Sequence, residues 1–239
     1  MTTLFIADLH LSDQRPEITK LFTKFLQNEA RQCRALYILG DLFEAWLGDD
    51  CILPAYQEII LQIKELTASN IPVYFIHGNR DFLIGSRFAE LTGCQLLDET
   101  TIINIDEQQY LILHGDTLCT DDVKYQQFRS MVRNPEWQEQ LLAKTPAERI
   151  ALAKQYREIS QTETAEKADD IMDVNQQEVE NALRNANVNT MIHGHTHRPN
   201  IHTFELDGKQ AQRIVLGDWY KHGSALKLEN GEFELQIIS

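Results

Sequence analysis

Several protein classes are excluded by what this 239-residue sequence lacks. Cysteine is scarce: Cys33, Cys51, Cys94 and Cys119 lie far apart and form no C-x-x-C pair. They read as reduced thiols of a cytoplasmic protein rather than as a disulfide framework. No uncharged apolar run approaches the roughly 18 residues that a membrane span requires, so none is expected. The first strand-like run starts at once, with no basic segment before it, so no signal peptide is expected. Positive charge is short, with 22 Lys and Arg against 36 Asp and Glu and a net charge of −14. That balance disfavours a nucleic-acid partner. Neither an internal repeat nor a low-complexity segment occurs. The length fits one large domain or a domain with a sizeable insertion.

What is present is a recurring event: short apolar runs that each end in metal-capable residues. Leu4-Phe5-Ile6-Ala7 runs into Asp8-Leu9-His10. Such a run reads as a buried parallel strand. Residues i and i+2 of a strand share a side, so Asp8 and His10 are expected to emerge together. A helical stretch over 18–31 follows, with Leu21, Phe22, Phe25 and Leu26 on one face. Ala35-Leu36-Tyr37-Ile38-Leu39 is a second strand, stopped by Gly40-Asp41. A helix over 54–68 has Pro54 in its first turn. Val73-Tyr74-Phe75-Ile76 ends at His77-Gly78-Asn79-Arg80-Asp81, and a short helix over 86–91 stops at Gly93. Strands over 101–105 and 110–113 follow, the second ending at His114-Gly115-Asp116.

The pattern then changes. Residues 122–184 look helical throughout, and Ala165, Ala168, Met172, Val179 and Ala182 read as one amphipathic helix. This block carries Lys124, Arg129, Arg133, Lys144, Arg149, Lys154, Arg157 and Lys167. Strands resume at Thr190-Met191-Ile192, which ends at His193-Gly194-His195-Thr196-His197. The tail alternates apolar and polar over 201–206, 213–216, 225–228 and 233–237, with Asp207-Gly208 and Asn230-Gly231 as hairpin signals. The order implies an α/β sandwich of two sheets with flanking helices, and 122–184 reads as an insertion capping the strand ends. The core is then 1–121 and 185–239. Ligands of α/β sheets sit at the carboxyl ends of strands, where every cluster falls.

Asp8, His10, Asp41, Asn79, His114, His195 and His197 form the candidate metal set. It exceeds what one ion needs, and its mixture of imidazole and oxygen donors suits a pair such as Mn²⁺ or Fe²⁺, with Asp41 central enough to bridge. Glycines beside these residues allow sharp turns and close approach. The ordered motifs D-x-H, G-D, G-N-R-D, H-G-D and G-H-T-H resemble those of the calcineurin-like metallophosphoesterases over essentially the whole chain. The resemblance implies a four-layer αββα sandwich of two mixed sheets with a helical insertion cap. It also implies one metal on Asp8, His10, Asp41 and His197 and another on Asp41, Asn79, His114 and His195.

One residue departs from many family members, which carry His after the Asn. Here it is Arg80, a poor proton donor but a good partner for phosphate oxygens. A leaving phosphate needs little protonation, so Arg80 favours a phosphoanhydride substrate. G-N-R-D, with Asp8-Leu9-His10-Leu11-Ser12, Gly40-Asp41-Leu42-Phe43-Glu44-Ala45-Trp46 and Leu216-Gly217-Asp218-Trp219, is similar to a subgroup of lipid A biosynthesis. The resemblance implies cleavage of UDP-2,3-diacylglucosamine to UMP and 2,3-diacylglucosamine 1-phosphate by a two-metal-activated water attacking the α-phosphorus. It further implies Mn²⁺, and peripheral attachment to the cytoplasmic face of the inner membrane; no obligate protein partner is evident.

Asp41, Asn79, Arg80 and His195 are the implied catalytic residues. Asn79, Arg80, Asp122, Ser160, Thr164, Lys167 and His195 are the implied substrate contacts, Thr164 standing where the subgroup pattern has Asn. Phe128, Met131, Val132, Leu141, Leu142, Ile150 and Leu152 are candidates for an acyl-chain pocket beside basic residues facing anionic lipid. Ordinary cap packing, and arginines on the outer faces of helices, are the plainer readings. His77 and His193 read as second-layer groups, and His202 and His222 as structural or exposed. Asp81, Asp116 and Asp218 read as orienting residues, and Asp49-Asp50 as a solvated loop. The rivals are a phosphoesterase of the same fold acting on a soluble nucleotide or phosphoprotein, and a binding module that has lost catalysis.

Overall fold

The computed structural model describes residues 2–165 and 173–239, with the backbone alone over 158–165. Among the described residues, eleven strands and seven α-helices follow in the order β1 (Thr3–Ile6), α1 (Pro16–Gln27), β2 (Ala35–Ile38), α2 (Gln57–Ala68), β3 (Val73–Phe75), α3 (Ser86–Thr92), β4 (Gln95–Leu96), β5 (Thr100–Ile105), β6 (Gln108–Leu113), α4 (Val123–Val132), α5 (Pro135–Leu142), α6 (Pro146–Ala165), α7 (Gln176–Ala186), β7 (Thr190–His193), β8 (Asn200–Leu206), β9 (Lys209–Val215), β10 (Gly223–Glu229) and β11 (Glu232–Ile238). They form two mixed sheets, ordered β11-β10-β1-β2-β3-β4 and β5-β6-β7-β9-β8. β1 pairs parallel with β2 and antiparallel with β10, and β7 lies parallel to both β6 and β9.

Alternation along the central strands creates the layers. Leu4, Ile6, Leu36 and Ile38 face α1–α3, while Phe5, Ala7, Tyr37 and Leu39 meet Ile112, Ile192 and Ile214 of the second sheet. With both faces covered, these strands read as continuous apolar runs. Each fully buried aliphatic or aromatic side chain contributes about 1.5–3 kcal/mol. On the far side, Leu111, Leu113 and Met191 pack against Val179 and Leu183 of α7. The result is a four-layer αββα sandwich, with the carboxyl ends of β1, β2, β3, β6 and β7 at one edge.

The helical block departs from the expectation of one helix running through 165–182. Residues 173–175 are not helical and α7 begins at Gln176, where the Asn175 side chain caps Gln177 N (2.9 Å) and Glu178 N (3.3 Å); Ala168 and Met172 lie outside the described residues. Asn175 also holds Asp121, its Nδ2 donating to both carboxylate oxygens (3.0 and 3.1 Å). Chain exit and return therefore meet at Asp121 and Asn175. Within the expected insertion, α7 packs on the second sheet of the core.

Cap and core are joined by arginines. Arg149 is buried, bonding Asp50 (Nη1–Oδ1 2.6 Å, Nη2–Oδ2 2.5 Å) and Leu47 O (2.7 Å). Arg129 donates to Asp116 (2.8 Å) and pairs with Glu99, Arg133 donates to Gly78 O (2.9 Å), and Arg157 pairs with Glu44. The outer-face reading of these four is thus corrected: each finds a carboxylate or carbonyl of the core. The solvated-loop reading of Asp49-Asp50 holds for the exposed Asp50 but is corrected for Asp49. Asp49 accepts from Trp46 Nε1 (2.9 Å), Gly85 N (3.0 Å) and Phe88 N (3.1 Å), stabilising the start of α3, and Asp50 anchors Arg149. No helix among the described residues is long and apolar enough to cross a membrane.

Candidate metal centre

Strand alternation does not bring the donors together. β1 and β2 end at Ile6 and Ile38, before the ligands begin. Asp8 (φ 57°), His10 (48°), Asp41 (53°), His195 (70°) and His197 (56°) all adopt left-handed backbone. Each such residue costs about 1–3 kcal/mol and persists only where its surroundings enforce it. Here the loops hold one another. Asp8 N donates to Gly40 O (3.1 Å), His10 N to Asp41 O (2.9 Å), Gly194 N to His114 O (2.8 Å) and Trp219 N to Asp8 O (3.2 Å). Asp81, fully buried, accepts from Gly78 N (2.8 Å) and Leu42 N (2.8 Å) and so ties the Asp41 and Asn79 loops together.

The glycines permit close contact between ligand loops. A Cβ on Gly78 would lie 2.1 Å from Asp41 Oδ1, and one on Gly194 would lie 2.4 Å from Asp8 Oδ2. At these positions it is room for carboxylates, rather than for an ion, that excludes any side chain.

All seven candidate ligands converge. His10 Nε2 lies 3.3 Å from His197 Nε2 and 3.7 Å from Asp41 Oδ2, and His197 Nε2 lies 3.4 Å from Asp8 Oδ1. The other oxygen of Asp41, Oδ1, is 3.8 Å from His114 Nε2. Asn79 Oδ1 is 3.0 Å from both His114 Nε2 and His195 Nδ1. Donor atoms of Asp8, His10 and His197, and of Asp8, Asp41 and His114, lie within 4.8 Å of one another.

This donor set fits divalent cations. His114 Nδ1 sits 2.8 Å from Leu39 O, where it can only donate, so a neutral ring turns its Nε2 lone pair toward oxygens of Asn79 and Asp41. Lone pairs facing lone pairs call for a positive charge between them. Burial opposes charge on His114, but Asp41, Asp8 and Asp116 outweigh it and raise its pKa to about 9. Burial takes the Asp41 carboxyl up to about 7 against the pull of His114. Burial, with His114 beside it, takes His195 down to about 4. Asp8 Oδ1 and His10 Nδ1 are buried without a hydrogen bond among the described residues.

Surrounding residues act as second-layer supports. His77 Nε2 meets Ile84 O (2.7 Å) and His193 Nδ1 meets Gly194 O (2.8 Å), both away from the donors. Asp116 accepts from Tyr125 Oη (3.0 Å) and Arg129. Asp218 accepts from Tyr220 N (2.8 Å) and stands 3.9 Å from His197 Nδ1. Arg80 N donates to Asp41 Oδ1 (2.8 Å) while its guanidinium stays partly exposed at the mouth. Asp122 caps α4, accepting from Tyr125 N (3.1 Å). Lys167 and the side chains of Ser160 and Thr164 lie outside the described residues.

Sequence reasoning missed Arg15, Tyr125 and Tyr220. Tyr220 stacks on His10 with centroids 5.6 Å apart, and Arg15 lies 4.7 Å above the same tyrosine ring. Tyr125 lies 5.7 Å from His195. Single aromatics outside any motif give no sequence signal for such contacts.

Of the seven candidate pocket residues, Met131, Leu142 and Ile150 are exposed, Val132 is buried, and Leu141 packs on the core. A cavity of about 520 Å³ beside α4 and α5 is lined mostly by polar groups, with Met131 and Trp137. Phe82 of the core meets Trp137 (6.4 Å), which meets Tyr156 (6.4 Å), which meets Phe128 (5.4 Å).

A family model described as calcineurin-like phosphoesterase matches residues 1–199. The chain belongs to the calcineurin-like phosphoesterases. Within that family it is 52% identical over 235 residues to a Serratia proteamaculans protein named UDP-2,3-diacylglucosamine hydrolase, covering 98% of each chain. A protein of the same name from Stenotrophomonas maltophilia is 47% identical over 246 residues, covering 100% of this chain and 99% of that one. Among solved structures, vacuolar protein sorting 29 from Cryptosporidium parvum is similar in fold, with TM-score 0.50 and 15% identity over 99% of this chain and 95% of that one.

Proposed function

We propose that this chain hydrolyses the pyrophosphate bond of UDP-2,3-diacylglucosamine to UMP and 2,3-diacylglucosamine 1-phosphate. Asp8, His10, Asp41 and His197 would hold one divalent cation and Asp41, Asn79, His114 and His195 the other, with Mn²⁺ the expected metal. The observation that carries this reading is the meeting of donors around Asp41, whose two oxygens stand 3.7 and 3.8 Å from His10 Nε2 and His114 Nε2. The name shared by the near full-length relatives supports the choice of substrate.

Two divalent cations in such a site lower the pKa of water and neutralise phosphate charge. Water oxygen bonds to the α-phosphorus while the bond from that phosphorus to the bridging oxygen breaks. The bridging oxygen leaves with the β-phosphate, and the proton of water passes to solvent. Arg80 offers guanidinium donors to the phosphate oxygens. His195, with its pKa near 4, is neutral at pH 7 and suits a ligand better than an acid. A phosphate leaving group makes an acid dispensable.

Residues 122–174 act as the cap in this reading, with Asp122, Ser160, Thr164 and Lys167 as substrate contacts. The Phe82, Trp137, Tyr156 and Phe128 rings offer an apolar path for acyl chains between cap and core. The lipid substrate calls for peripheral docking at the inner-membrane surface. The test is a product assay on chelated protein with and without added Mn²⁺. Release of UMP from the UDP-lipid only with metal is expected; no release with metal, or equal release in chelator, contradicts the reading.

A further inference from the structure

Glu44 sits where core, cap and metal centre meet. Its backbone N donates to Leu11 O (3.0 Å), next to the bridge between Leu11 and Phe43 that joins the Asp8 and Asp41 loops. The side chain is largely buried. Its Oε2 stands 3.8 Å from His10 Nδ1, beyond hydrogen-bond range. Its Oε1 faces two guanidinium groups: Arg80 of the core, with Nη1 4.0 Å away, and Arg157 of α6 in the cap, in close contact. Arg15, over Tyr220, adds a third guanidinium that lowers the pKa of Arg157 further, burial being the larger cause.

Like charges at this spacing repel, and in a partly buried site the repulsion is only weakly screened. Glu44 is the carboxylate placed between Arg80 and Arg157. Arg80 Nε and Arg15 Nη1 are buried donors with no hydrogen bond among the described residues. The two guanidinium groups are thus held beside each other by the charge of Glu44.

We propose that Glu44 is a positioning residue that holds Arg80 and Arg157 together at the mouth as a two-sided grip for a diphosphate, one arm from the core and one from the cap. This rests on the diphosphate substrate proposed above. A substrate with a single phosphate has less use for two arms. Glu44 touches no reacting atom in this account and acts through the arginines.

The test is a double-mutant cycle on the full-length, Mn²⁺-loaded protein with UDP-2,3-diacylglucosamine. Glu44→Gln keeps the shape and removes the charge; it should raise KM about tenfold or more, with a smaller change in kcat and no change in bound manganese. Arg157→Gln should do the same, and the double variant should be no worse than Arg157→Gln within about twofold. Glu44→Asp, which keeps the charge, should retain most of the affinity. Losses that multiply in the double variant overturn the proposal. So do loss of manganese in Glu44→Gln, unchanged kinetics, or Glu44→Asp failing as badly as Glu44→Gln. If the wild type cleaves UDP-glucose but not the UDP-lipid, the substrate reading falls alone, and the same cycle on UDP-glucose decides the role of Glu44.

Discussion

Gly78→Ala offers a sharp test of how the site is built. Gly78 is not among the residues with positive φ, so alanine brings no backbone penalty there. The perturbation is one methyl group, placed 2.1 Å from Asp41 Oδ1, 2.3 Å from Asp41 N and 2.8 Å from Asp41 Cγ. Ordinary contact begins at 3.4 Å, so the carboxylate must retreat by about 1.3 Å. Asp41 cannot turn aside freely, because Oδ1 also accepts from Arg80 N (2.8 Å) and its own N is held by Asp81 (3.3 Å). Overpacking of this kind costs about 1–3 kcal/mol of stability. A displacement near 1 Å at a reacting centre costs about a hundredfold in rate. Metal affinity by chelator competition and kcat/KM on the UDP-lipid are the assays. Gly208→Ala is the control: Gly208 has φ +78° but open space around it, so it should cost about 1 kcal/mol of stability and leave activity intact. Wild-type metal affinity and rate in Gly78→Ala would refute the argument that glycine here makes room for the central carboxylate.

Other outcomes follow from the same geometry. Arg149→Ala strips partners from Leu47 O, Lys144 O (2.9 Å) and Asp50, and should cost about 2–3 kcal/mol, or roughly 5–10 °C in Tm, with faster protease cleavage in 122–174; an unchanged Tm would mean that this contact does not anchor the cap. His193 is buried and faces Arg213, which together bring its pKa from 6.5 to about 3. Between those values the unfolded chain binds a proton that the folded chain does not, so stability present above pH 6.5 is lost as pH falls, by up to about 1.4 kcal/mol per pH unit. Denaturant titrations of chelated protein should show a shallower fall for His193→Gln, and parallel curves would contradict it. Asn79→Ala should lower metal affinity and kcat/KM by tenfold or more, since Asn79 Oδ1 stands 3.0 Å from both His114 and His195; unchanged metal affinity would count against its place as a ligand.

Much of the sandwich could be read along the chain because burial on both strand faces leaves an unmistakable mark. Leu4 to Ala7 and Ala35 to Leu39 are apolar at every position since one sheet face meets helices and the other meets a second sheet. The two hairpin dipeptides take the positive φ values expected at Asp207-Gly208 and Asn230-Gly231. β4, only two residues long, left too little pattern to find. The break at residues 173–175 was hidden by a helical period that continues across it, although Asn175 followed by Glu178 is a capping signal. At the metal centre, residue types were legible and backbone shape was not. Asp8 and His10 look like the continuation of a strand, and contacts with residues far away in sequence, such as Gly40, Asp41 and Trp219, help to hold them left-handed. The arginines of the cap were ambiguous for the same reason: Arg149 and Asp50 lie 99 positions apart, and nothing local tells an inward guanidinium from a solvated one.

The most direct measurement is anomalous scattering from crystals equilibrated with manganese. Two peaks about 3.5–4 Å apart are expected, one among Asp8, His10 and His197, the other among Asn79, His114 and His195, with Asp41 between them. Peaks elsewhere, or none at these residues under conditions where the protein turns over substrate, would contradict the account.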